Sequence, residues 1–309
     1  MAKIKHLIRH KALFVAAVIL GLIWPAASLA QTAETRPPKG PAIWRIADDD
    51  TELFLFGTVH ILPPDIHWQR DVVINALNTA DIVYFETTDR DNNGGTYFEF
   101  LKAGMAGPGE SVHEVLSETD FNNLASALEE IGLHIDSFKG QQPWFASLMM
   151  SVAVLETQGQ YSEYGVESWM EARLADDRDV RSLENGTHVA TALSEMSMEA
   201  QIDMLMDGLR DTGEEEEALW PTIDSSLKAW QKGRDDMVYE TVILDMETVM
   251  PEVYDVLFTR RNADWVIKLD RLMTEETGRI FVAVGSGHLA GPDSVQALLE
   301  AEGWTVEQF

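Results

Sequence analysis

Two histidines of this chain occupy the same local setting. Gly57-Thr58-Val59-His60 and Gly285-Ser286-Gly287-His288 each follow an apolar run and lead, within a few residues, to Pro-Asp and an amphipathic segment. With 21 glycines and eight histidines in 309 residues, about half of one Gly-x-x-His match is expected by chance. A single histidine after a strand is ordinarily a hydrogen-bonded structural residue; the repetition is what points to a shared site. Two carboxylates join them, because Glu86 closes the apolar stretch Ile82-Val-Tyr-Phe85 and Glu184 follows Val180-Arg-Ser-Leu183. If these strands run parallel, the residues just past their C-terminal ends line one edge of the sheet, where α/β folds bind ligands. His60, His288, Glu86 and Glu184 would then face one crevice. Two imidazoles and two carboxylates without cysteine suit a divalent cation such as Mn, Co, Zn or Fe(II). Gly57 and Gly285 are expected to let the backbone turn tightly as it leaves each strand. Arg261-Asn262, on a helix face ahead of the second motif, reads either as a surface pair or as part of the site. In the second case Arg261 neutralises the carboxylates or stabilises developing negative charge.

The elements that must position these residues follow from pattern. Ala42–Ala47 and Glu52–Phe56 read as a hairpin around Asp48-Asp-Asp50. A helix over Trp68–Thr79 carries Val72, Val73, Ala76 and Leu77 on one face, and Ile82–Phe85 is a strand. Residues 89–110 are rich in Gly, Asn and Asp and predict a loop with at most a short helix. Residues 112–160 are helical in pattern, and Val166–Ala175 forms a further helix before the strand Val180–Leu183. From Thr187 to about Met273 the chain is again helical, with breaks at Asp211-Thr-Gly213, Pro221 and Pro251, and Glu214–Glu217 as a solvated turn or helix start. The last unit is strand Ile280–Val284, the second Gly-x-x-His, helix Ser294–Ala301 and strand Thr305–Gln308. The expected fold is therefore α/β (α+β): a central β-sheet carrying two related β–GxxH–α–β units, elaborated by a large helical middle at 112–160 and 187–273.

Residues 1–30 have the features of an export signal. Lys3, Lys5, Arg9 and Lys11 precede the apolar run Ala12–Trp24, and Ser28-Leu29-Ala30 supplies small residues for cleavage. That run is shorter than the roughly 18–20 residues a membrane span needs, so a cleaved signal is expected rather than an anchor. Residues 31–41 form a polar, proline-rich linker, and 42–309 a single domain. The chain holds 52 acidic against 23 basic residues, a formal net charge of −29; without the signal's four cations this becomes −33. Such a surface disfavours nucleic acid and anionic membranes. The partner expected is a peptide or small-molecule substrate, and the oligomeric state is left open.

Other motifs fail on context. Gly285-Ser-Gly287-His-Leu-Ala290 matches a dinucleotide fingerprint, but the sequence continues only two residues past Glu307, the acidic position that fingerprint requires. Ser286 lacks the G-x-S-x-G elbow of a nucleophile and is kept as a supporting residue of the motif. No H-E-x-x-H is present, since His113-Glu114 runs into Val-Leu-Ser.

Taken together these residues resemble the TraB/GumN family, which includes the animal Tiki proteins. The resemblance rests on the two Gly-x-x-His motifs, on "IVYFETT" with Glu86, on "GVESW…RSLEN" with Glu184, on "RRNADW", and on "VAVGSGHLAGPDSVQALLEAEGWTVE". It runs from about Pro41 to the end, and the chain looks like an exported bacterial GumN-type member. It implies a fold like that of Tiki and the erythromycin-esterase/ChaN group. It also implies a metal (Mn, Co or Zn) or catalytic centre at His60, His288, Glu86 and Glu184. Glu167 stands where aspartate is expected in many relatives. The leading expectation is an exported metal-dependent hydrolase, a peptidase first. In it the ion activates water, Glu86 or Glu184 serves as base, the two being interchangeable at this point, and Arg261 helps hold the oxyanion, with Gly57, Gly285, Ser286, Asn262 and Glu167 in support. The alternatives are a non-catalytic binder of a peptide, haem or metal, and an esterase-like hydrolase that needs no tightly bound metal.

Overall fold

A computed structural model of the chain describes residues 40–88, 90, 96–207, 209 and 219–309. The signal and most of the linker, the break at 211–213 and the acidic run 214–217 lie outside the described residues. Six strands form one mixed sheet: β1 Ile43–Ala47, β2 Thr51–Thr58, β3 Ile82–Phe85, β4 Asp179–Ser182, β5 Gly278–Gly285 and β6 Val306–Gln308. Their order is β4-β3-β5-β2-β1-β6. β1 and β2 form the expected hairpin, with Ile43 opposite Phe56. Its turn is closed by the Asp48 carboxylate, which accepts from the backbone N–H of Asp50 (3.1 Å) and of Thr51 (2.8 Å), the local bonding that makes aspartate a turn residue. The four strands β2, β5, β3 and β4 run parallel. Thr58 pairs with Gly285, Phe85 with Ala283 and Ser182 with Phe85, so the four C-terminal ends share one edge. The fold is α/β.

The two Gly-x-x-His units are not equivalent in the sheet. The first closes with β3, parallel to β5. The second closes with β6, antiparallel to β1. The sequence similarity therefore ends where each unit's closing strand finds its edge.

Among the described residues, the helices around the sheet include α1 Asp71–Thr79, α2 Thr96–Ala103, α3 Glu118–Glu130, α4 Pro143–Thr157, α5 Val166–Glu171, α6 Gly186–Ser194, α7 Met198–Met206, α8 Leu219–Gln231, α9 Arg260–Glu275 and α10 Val295–Ala301. Strand alternation sends Ile280, Val282 and Val284 to one face, where they meet Trp265, Val266 and Leu269 of α9 and Val295 and Leu299 of α10. Phe281 and Ala283 point the other way, into a larger core shared with Phe56, Phe85 and the helical middle. Both faces of β5 are thus covered, which is why it reads as an unbroken apolar run. No described helix is long and apolar enough to cross a membrane.

Two expectations need correction. α1 starts at Asp71 rather than Trp68, because Arg70 is extended (φ −71°, ψ 147°) and Trp68 is buried ahead of the helix. Pro221 does not break the chain; it sits in the first turn of α8, where the missing N–H has no helical partner to lose. The stretch between α8 and α9 also contains two π-helical segments, Tyr239–Ile243 and Asp255–Thr259. Both reach the second histidine loop: a Cβ on Gly287 would meet the Phe258 ring at 2.8 Å and the Ile243 side chain at 3.1 Å.

Candidate active site

The parallel edge brings Glu86, Glu184 and His288 together around Arg261, while His60 is paired with Glu167. The β3–β4 ladder continues past the strands, since Leu183 N–H donates to Phe85 (2.8 Å) and Glu184 N–H to the carbonyl of Glu86 (3.0 Å). The two glutamates are side by side for that reason. Glu86 is buried, with Oε1 accepting from the Gly285 N–H at 2.6 Å and Oε2 from Arg261 Nη2 at 2.5 Å. Glu184 Oε1 accepts from Arg261 Nε (2.8 Å) and Nη2 (2.5 Å). Arg261 Nη1 donates to the Leu257 carbonyl at 3.0 Å and lies 3.1 Å from His288 Nε2. A guanidinium has five N–H donors, and these five contacts use them all.

His288 is fully buried in the short 3₁₀ turn Ser286–Leu289. Its Nδ1 lies 2.6 Å from Asn262 Oδ1, and Asn262 Nδ2 donates to the Asp293 carbonyl at 2.8 Å. That second bond fixes the amide, so Nδ1 must carry the proton and Nε2 presents its lone pair to Arg261. The ring is flanked by Trp265 and Phe258, with centroids at 4.4 and 4.9 Å. Burial, then the positive charges of Arg261 and His60, hold its proton affinity well below that of an ordinary histidine. His288 is therefore neutral at pH 7.

His60 follows β2 and is also buried. Its Nδ1 stands 2.7 Å from Glu167 Oε1, and the Thr58 hydroxyl donates to the same oxygen. Glu167 lies in the first turn of α5, which is anchored to the loop by Val166 N–H donating to the Val59 carbonyl (3.1 Å). Burial raises the Glu167 carboxyl, but His60 and the hydrogen bonds from His60 and Thr58 outweigh it and leave the group below the usual carboxylate range. Glu184 goes the other way: burial lifts its proton affinity, and Arg261 only partly offsets the rise. Arg261 stays charged, because the attraction of Glu184 and Glu86 exceeds the cost of its burial.

Gly57 works by closeness rather than by turning. Neither Gly57 nor Gly285 has a positive φ. A Cβ on Gly57 would meet Ser286 Cα and Cβ at 3.2 and 3.3 Å, so Gly57 and Ser286 are where the two motif loops touch. Sequence reasoning missed Thr58, Trp265 and the Leu257 carbonyl. Trp265 stands one helical turn after Arg261, a spacing that carries a signal; a backbone carbonyl carries none.

The resemblance implies a divalent ion among His60, His288, Glu86 and Glu184. The place between the two carboxylates and His288 Nε2 is held instead by the Arg261 guanidinium. Among the described residues no three His, Asp or Glu side chains form a set that could hold a metal ion. With Arg261 in this position the residues do not fit a divalent ion, and no step derived below runs through one. The same five contacts leave Arg261 no spare donor for an oxyanion. In this arrangement it neutralises the carboxylates, the other role open to it from the sequence.

Fold and site together define an α/β protein with a buried histidine–carboxylate–guanidinium cluster at the carboxyl edge of its parallel strands. The family model described as TraB/PrgY/gumN family matches residues 42–308, and the chain belongs to that family. No curated protein and no solved structure gives a significant match.

Proposed function

We propose that this chain is an acyl-bond hydrolase acting on a peptide or ester. One observation carries the reading: the structure holds two titratable groups whose environments push them apart, the pattern of acid and base assignments in an active site. His60 is set against a Glu167 that stays ionised, while Glu184 is a buried carboxyl with raised proton affinity. The Glu167 contact keeps the proton on Nδ1 of His60, so in the neutral ring Nε2 is the basic nitrogen.

In the reaction, His60 Nε2 takes a proton from water as the water oxygen bonds to the carbonyl carbon. Glu184, protonated, gives its proton to the leaving nitrogen or oxygen as the acyl bond breaks. An amine departs only when protonated, so a carboxyl that retains its proton serves a peptide as well as an ester. The proton on His60 then returns to Glu184 through solvent, closing the cycle. Arg261 fixes both glutamates and favours the neutral form of His288. Export, carried by the basic and then apolar start of the chain, is the setting proposed.

The test is turnover of mixed peptide and ester libraries in ¹⁸O-labelled water, read by mass spectrometry. The reading expects one labelled oxygen in the released acid. A folded protein that leaves every substrate class intact would count against it.

A further inference from the structure

Arg261 occupies the centre of a donor set that has the residue types of a metal site, although the side chains as they stand form no set that could hold an ion. Glu86 Oε2 and Glu184 Oε1 lie within 2.5 Å of its Nη2, and His288 Nε2 lies 3.1 Å from its Nη1. Carboxylate, carboxylate and a neutral imidazole lone pair are ligands that manganese, cobalt and zinc accept. The imidazole is already backed by Asn262 at 2.6 Å, the orienting bond that metal-binding histidines characteristically have.

We infer that Arg261 is a built-in cation that excludes a divalent ion from this site, and that its removal lets the same side chains close around such an ion as a metal centre.

Two features support this. The guanidinium is 6% exposed and packed over Trp265, with its Cζ 4.8 Å from the ring centroid, so it has little room to step aside while the ion enters. A dipositive ion beside a retained guanidinium would meet strong repulsion in a buried place.

The inference stands on the contacts of Arg261, not on hydrolysis, so its test reads binding and can fail or succeed apart from the hydrolase reading. The purified chain, stripped with chelator, is titrated calorimetrically with manganese, cobalt and zinc chlorides, alongside Arg261→Ala. The wild type is expected to show no stoichiometric binding, and Arg261→Ala to take up one ion at least about 100-fold more tightly. Adding Glu86→Gln to Arg261→Ala should abolish the gain, which separates this site from weak binding on the acidic surface. Guanidinium chloride at low millimolar concentration should compete with the ion in Arg261→Ala, since it restores the missing group. Should Arg261→Ala not fold alone, folding on addition of the ion, or binding by Arg261→Gln, carries the same weight. A wild type that binds one ion as tightly as the variant overturns the inference. So does a pair of arginine variants that neither bind an ion nor gain stability from one.

Discussion

At His60 the nitrogen Nδ1 faces a carboxylate that its surroundings keep ionised. Replacing Glu167 by glutamine preserves the volume and removes the charge. The expected result is a fall in kcat/KM of about 10²–10⁴, with the acid limb of the pH–rate profile moving to lower pH because the protonated imidazole has lost its counter-charge. A purely structural Glu167 would lower stability and leave that limb where it is. His288 makes a second prediction, on stability. Its folded-state proton affinity lies below the unfolded one, so between the two values the unfolded chain binds more protons and stability rises with pH. Stability should therefore be full above about pH 6.5 and decline as the pH falls below it, by up to about 1.4 kcal/mol per pH unit. Denaturant titrations from pH 7.5 to 5 check this, and His288→Asn should flatten the slope whatever it does to the absolute value. An unchanged slope would assign the acid sensitivity to other groups.

The element that aims Glu167 is the start of α5, and Gly165 sets how near it comes. A Cβ there would lie 2.1 Å from the His60 carbonyl oxygen, a backbone atom that cannot yield easily. Gly165→Ala is expected to cost about 1–3 kcal/mol in urea denaturation and to lower activity further, because the helix start must shift and draw Glu167 from His60. Gly132→Ala, at φ +79° with nothing within 4 Å of the new Cβ, is the control that strains backbone alone; its activity should stay at the wild-type level. Much of this scale was legible in the sequence. Alternation and length marked the strands, and apolar runs closing on His or Glu marked four ends that share one edge provided the strands run parallel. The rest depended on long-range contact. Nothing local says that Arg261 meets Glu86 and Glu184, partners 175 and 77 residues away, or that Gly57 is there to admit Ser286. The π-helical turn ahead of α9 is equally silent in the sequence, though Leu257, whose carbonyl receives Arg261, lies within it. The metal reading came from residue types; the position of Arg261 among them is a fact of tertiary structure.

Over the whole molecule the formal net charge of −29 sets a background of self-repulsion. Raising sodium chloride from 10 to 200 mM shortens the screening length from about 30 Å to below 10 Å and should raise the melting temperature by a few degrees. A melting temperature that falls with salt would mean that attractive ion pairs outweigh that repulsion. The same charge favours a cationic or neutral substrate over an acidic one at the point of encounter. The two cores, one on each face of the sheet, meet at β5 and at the histidine loop that follows it, so the candidate site lies where the whole fold is best supported. The most direct test of the account is hydrolysis of the responsive peptide or ester by the wild type and by His60→Ala, with circular dichroism confirming that both are folded. The account predicts that labelled product forms with the wild type and falls to the uncatalysed background with His60→Ala. Full turnover by a folded His60→Ala would contradict it.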